Sequence, residues 1–173
     1  MASLIALTPC AGLLPLTIGG ITITEVVPEA LTSVAPFKGQ KKAVSDALKA
    51  QVGAGLPAVN RRTGPVTWFG HGVWMVEGAV SVAGAAVTDQ SDAWAVVTIS
   101  GAGVEAVLAR LMPVDLRAAV FKKGHVAKTM LAHLSVTITR TGAESFEIMA
   151  MRSMAKTLLH DLETAARGVA ARG

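Results

Sequence analysis

A chain of 173 residues with 51% hydrophobic and 16% charged side chains can bury a sizeable core, yet carries fewer charges than the ~25% usual for a globular protein. That deficit predicts an apolar patch kept for a partner. The net charge of +4, with no Tyr, is too mild and too poor in stacking rings for a nucleic-acid binder, and a single cysteine, Cys10, excludes an internal disulfide and makes a cytoplasmic location the expectation.

The uncharged run from Met1 to Thr24 is broken by Pro9, Gly12, Pro15, Gly19 and Gly20. It therefore lacks the ~20 continuous apolar residues of a membrane span, and with no Lys or Arg ahead of it, it does not read as a secretory leader. The expectation is an extended N-terminal arm over 1–19, packed on its own core or on a partner subunit. Gly20 to Thr24 then alternates as a half-buried strand.

Val44, Ala47, Leu48 and Val52 recur at helical spacing, and Gly53, Gly55 and Pro57 end that helix. Val66 to Phe69 and Val73 to Glu77 predict a hairpin turning at Gly70-His71-Gly72. The segment 78–87 has no clear period and is left as a short helix or loop. Trp94 to Ile99 is apolar on both faces and predicts a strand buried on both sides.

Ser100 is suited to cap a helix carrying the stripe Val104, Val107, Leu108 and Leu111, which Pro113 ends. Leu134, Val136 and Ile138 alternate with Ser135, Thr137 and Thr139, and Gly142 turns the chain into Phe146-Glu147-Ile148 as a second hairpin. Met154, Leu158, Leu159, Leu162 and Ala166 make a long final helix with Gly168 placed to stop it. Strands mixed with helices and joined by hairpins predict an α+β fold with helices on antiparallel sheets, in two ferredoxin-like lobes, 20–86 and 87–173. The lobes are read as one intimately packed functional unit.

Four histidines, His71, His125, His133 and His160, show no metal-ligand spacing, and Gly101-Ala102-Gly103 lacks the third glycine of a dinucleotide loop. No metal or cofactor site is expected in this chain. The basic clusters Lys38/Lys41/Lys42, Arg61/Arg62 and Lys122/Lys123 read as solvated surface. Met149, Met151 and Met154 read as core packing, with an adaptable subunit contact as the alternative.

Three segments, VTDQSDAWAVVTISGAGVEAVLARLMPVDL (87–116), FKKGHVAKTMLAH (121–133) and SFEIMAMRSMAKTLLHDLETAA (145–166), resemble in order and spacing the gamma subunit of heterotetrameric sarcosine oxidase. That family is itself similar to the folate-binding T-protein (aminomethyltransferase). The resemblance implies a T-protein-like fold, with strand exchange between the lobes left open. It implies a non-catalytic subunit of a complex that oxidises sarcosine to glycine, yields hydrogen peroxide and passes a methylene group to tetrahydrofolate. FAD, FMN, NAD and zinc would belong to the other subunits, and the partners would be the alpha, beta and delta subunits.

By the same resemblance Asp89 matches an aspartate beside folate, with Ser91 next to it. The relatives continue with His where this chain has Asp92, so local acceptors that tie down a turn are the favoured role of Asp89 and Ser91. Gly124 matches a turn glycine, and Arg152 and Ser153 match the pair that opens the last helix, with Ser153 suited to its N-cap. A related N-methyl amino acid dehydrogenase and a stand-alone folate-binding module are the competing readings.

Overall fold

The apolar alternation seen in the chain resolves into eleven strands and three α-helices in the computed structural model, which describes residues 5–172. The strands are β1 (Leu16–Ile18), β2 (Ile21–Val26), β3 (Leu31–Pro36), β4 (Arg62–Thr63), β5 (Val66–Gly70), β6 (Val73–Glu77), β7 (Ala85–Asp89), β8 (Trp94–Ser100), β9 (Val126–Leu131), β10 (Leu134–Gly142) and β11 (Ser145–Met151). The helices are α1 (Lys41–Val52), α2 (Val104–Leu108) and α3 (Ala155–Ala170). Two antiparallel sheets result, a six-stranded one ordered β1-β2-β8-β11-β10-β9 and a five-stranded one ordered β4-β5-β6-β3-β7. The fold is α+β, as expected.

Period-2 alternation decides which face of each sheet meets which layer. Ala95, Val97 and Ile99 of β8, Ile148 and Phe146 of β11, and Val136 and Ile138 of β10 pack with Leu158, Leu159 and Leu162 of α3 and Val104, Val107 and Leu108 of α2 in the main core. Each such fully buried side chain contributes on the order of 1.5–3 kcal/mol. Val96 and Met149, on the opposite face, meet Leu31, Phe69 and Met75 of the five-stranded sheet. β8 is thus buried on both sides. The outer face of the five-stranded sheet packs Val34, Val66, Trp74 and Val76 against Val44 and Leu48 of α1.

The arm is shorter than 1–19, because Leu16–Ile18 pairs with Ile21–Val26 in a hairpin turned by Gly19 and Gly20. From Thr8 onward the arm is held on the sheet by Glu25, which accepts from Thr8 Oγ1 at 2.7 Å and from the Cys10 amide at 2.8 Å. β2 lies beside β8, so residues of the N-terminal segment complete the sheet built by the C-terminal half. Position 86–87 falls inside β7.

Several local expectations are corrected. Ser100 is the last residue of β8 and does not cap α2, which starts after Gly103 at φ 86° without a side-chain cap. Two left-handed glycines, Gly101 (φ 123°) and Gly103, make that turn. A Cβ on Gly101 would stand 1.9 Å from the Gly20 carbonyl oxygen, so only glycine lets β8 leave its neighbour here.

α2 ends at Leu108 rather than Leu111, with Leu111 and Met112 held by turn bonds to the Leu108 carbonyl. The segment 78–87 forms no helix: its last three residues enter β7 and the rest is loop. Ser153 caps nothing; it sits exposed in a 3₁₀ turn, Arg152–Met154, that leads into α3. Gly168 lies inside α3, which runs on to Ala170. A Cβ there would meet Arg110 Nη1 at 3.4 Å.

No helix among the described residues is long and apolar enough to cross a membrane.

Candidate functional site

The D-x-S turn between β7 and β8 is built by its own side chains. Asp89 Oδ1 accepts from the Ser91 amide at 2.9 Å and from Ser91 Oγ at 2.6 Å, and Ser91 Oγ in turn accepts from the Leu31 amide at 3.1 Å. The turn is therefore stapled to the start of β3. The Ser91 hydroxyl, followed by its amide, holds the Asp89 carboxyl below the ordinary carboxylate value. Asp89 is a carboxylate whose one oxygen is committed to structure, and its side chain is exposed.

Arg152 reaches the same end of the molecule. Its amide donates to Ala93 O at 2.8 Å, its Nη1 lies 3.8 Å from Asp92 Oδ1, and its Nη2 donates to the Leu7 carbonyl of the arm. Ser91, Asp92, Trp94 and Arg152 line a groove of about 230 Å³ with Leu7 and Val27. Asp89 lines the adjoining open depression with Ser91 and Asp92. Asp89, Ser91 and Arg152 are thus brought together from segments about sixty residues apart in sequence. Ser153 lies next to them on the exposed 3₁₀ turn.

Gly124 belongs elsewhere. At φ 80° it turns the chain into β9, its amide donates to Arg140 O at 2.9 Å, and its carbonyl accepts from the Arg62 amide at 2.8 Å. It lines a second cavity of about 270 Å³ with Arg62, Lys123 and Arg140.

Around the first groove exposed apolar side chains stand among the charged Glu29, Asp92 and Arg152. Leu7 is 66% exposed and Val27 62%, and Met151 and Met154, flanking Arg152, are 55% and 42% exposed. Met149 is core, whereas its two neighbours are not. The indole Nε1 of Trp94 is buried without an acceptor among the described residues.

Two ionic centres escaped the sequence reading. Arg140, 2% exposed, donates to Glu105 Oε1 at 2.5 Å, to Ala143 O at 2.5 Å and to Leu116 O, and lies 4.4 Å above the Phe146 ring. Its alternation with Val136 and Ile138 places it on the buried face, which was the available signal. Arg62, read as solvated, instead joins the sheets: it bonds Glu147 at 2.8 Å and Glu77 as well. Burial pushes the Glu77 carboxyl up, Arg62 opposes this, and the charge of Glu147 adds to it. No group of three potential metal ligands occurs among the described residues.

No family model and no curated protein matches the sequence. Among solved structures, the chain is similar to one from "Heterotetrameric Sarcosine Oxidase from Corynebacterium sp. U-96 in complex with pyrrole 2-carboxylate", with a TM-score of 0.81, 23% identity, and coverage of 95% of this chain and 96% of that one. At that identity the likeness establishes a shared fold.

Proposed function

We propose that this chain is a non-catalytic subunit, of the gamma type, in a sarcosine oxidase complex. The observation that carries the reading is the fold match over 95% of this chain and 96% of its neighbour, a whole chain for a whole chain of a heterotetramer. The low charge content and the exposed apolar side chains about Arg152 support it, since a surface of that kind is characteristic of permanent interfaces.

In this reading the complex demethylates sarcosine oxidatively, with oxygen as acceptor and tetrahydrofolate taking the methylene group. The flavins FAD and FMN, NAD and zinc belong to the alpha, beta and delta subunits, and this chain braces the region that handles folate. Asp89 and Ser91 act through the turn they stabilise, because Asp89 Oδ1 already accepts two bonds from Ser91. A direct role toward folate would require that turn to reorganise.

Expression of the chain alone and with candidate alpha, beta and delta subunits, followed by native mass spectrometry, tests the reading. Stable incorporation at one copy per complex is the expected outcome. A chain that stays a soluble monomer beside those subunits refutes it, and micromolar tetrahydrofolate binding by the isolated chain, abolished in Asp89→Asn, would favour a stand-alone folate module instead.

A further inference from the structure

β7 is an outer strand of the five-stranded sheet and, among the described residues, is hydrogen-bonded on one side only, to β3. The bonds that bracket its ladder run from the Phe37 amide to Gly84 O and from the Gln90 amide to Leu31 O, both 2.8 Å. They turn the even-numbered residues toward β3. The alternation of an antiparallel pair then directs the N–H and C=O groups of Ala85, Val87 and Asp89 outward. The register has no bulge, and residues 84–93, GAAVTDQSDA, contain no Pro, Lys or Arg.

Those are the devices by which open sheet edges are normally blunted. Among the described residues the other edges are short, partly covered, or, on β9 beyond Val126, marked by the outward Lys128. β4 has two residues and meets the edge strand β9 of the other sheet through Arg62 N–H to Gly124 O at 2.8 Å, Val126 N–H to Asn60 O at 3.0 Å and an Arg61–His125 bridge. β1 has three residues and packs on α3.

The open edge of β7 ends at two carboxylates, Asp89 and the fully exposed Asp92. Arg152 stands 3.8 Å from Asp92 but is already engaged by Leu7 O. With Glu29 lining the neighbouring groove, three carboxylates stand against the one guanidinium of Arg152, so this end of an otherwise basic chain is acidic, and the edge runs into the groove of Leu7 and Val27 through Ser91 and Asp92.

We propose that the outer edge of β7 receives an extended segment of a larger partner subunit as an added strand, with a basic side chain of that segment set against Asp89 and Asp92. This rests on the reading of the chain as a subunit. Main-chain pairing supplies the adhesion and the carboxylates fix the direction of the guest strand. A second copy of this chain fits less well, because its own residues 84–93 bring the same two carboxylates and no cation.

The test measures amide hydrogen exchange on the free chain and on the chain assembled with the larger subunits, together with native mass spectrometry of the Val87→Pro variant. Proline there removes an outward N–H and spares the bonds to β3, but it also gives up part of the Val87 packing on the core beneath α1, so the isolated variant is expected to fold and to melt modestly below the parent. Assembly should slow exchange at Val87 and Asp89 by about tenfold or more, leave the already paired Thr88 little changed, and weaken about tenfold or more in the variant.

Should the complex form while Val87 and Asp89 exchange as in the free chain, the edge proposal falls and the subunit reading stands. A parent chain that never assembles overturns both. A dimer of the isolated chain that Val87→Pro dissolves would make the guest a second copy and overturn the proposal. If the variant fails to fold, the exchange data decide alone.

Discussion

Replacing Arg140 with methionine removes a guanidinium that lies 2% exposed and ties three parts of the chain to one point. Losing it strands the buried Leu116 carbonyl without a donor, at about 1–3 kcal/mol. It also ends the contact 4.4 Å above Phe146, about 2 kcal/mol in a desolvated setting. Glu105 is 37% exposed and the Ala143 carbonyl lies in an exposed turn, so both regain water and add little. Methionine fills most of the volume, and the relief of burying a charge offsets part of the loss.

These losses come to about 3–5 kcal/mol and the offset leaves a net destabilisation of about 2–4 kcal/mol, whereas Glu105→Gln should cost about 1 kcal/mol or less. Urea unfolding followed by circular dichroism at pH 7 measures both, with unchanged m-values required for the comparison. The thermal midpoint of Arg140→Met should fall by about 4–16 °C. If Arg140→Met lies within about 1 kcal/mol of the parent, desolvation of the guanidinium equals all it gains and the reasoning is refuted.

Burial, with Glu25 adding to it, pushes the Cys10 thiol up to about 11; alkylation by iodoacetamide at pH 8 should be slow in the native chain and fast only after unfolding, and rapid native labelling would contradict this placement. Glu77 should make the protein lose stability with rising pH between its ordinary value of 4.5 and its raised folded value, because in that window the native carboxyl keeps a proton that the unfolded chain has lost. Glu77→Gln should flatten that limb of a urea-melt pH series, and an unchanged slope would assign it to another group.

Much of this architecture is legible where one period dominates. The stripe of α1, the hairpin β5–β6, the doubly buried β8 and the alternation of β10 all follow from side-chain spacing, because each buries a face that local order alone defines. β3 hides behind Ser33 and Pro36, and the two-residue β4 exists only through its pairing with β5. Helix ends are obscured for a different reason. Ser100 and Ser153 look like caps, but the first is held in the β8–β11 ladder and a 3₁₀ turn places the second outside α3.

Residues at the candidate site divide in the same way. The Asp89–Ser91 turn is readable because its bonds are two residues apart. The meeting of Ser91 with Arg152 and with the arm is not, since it depends on β8 lying beside both β2 and β11. Arg140 is not legible either, because a charge in a strand suggests a wet face, while its acceptors come from residues 105, 116 and 143, which no window of sequence joins to it.

The pairing of β2 with β8 and β8 with β11 has a consequence for biosynthesis. A nascent chain emerging from the ribosome holds its first hairpin roughly seventy residues before the strand that shelters it appears, and closing so long a loop is slow. Until β8, β11 and α3 have been made, Ile21 and Ile23 have no apolar roof. Cooperative folding therefore waits until α3 has left the ribosome, and during that interval the exposed apolar strand is open to aggregation.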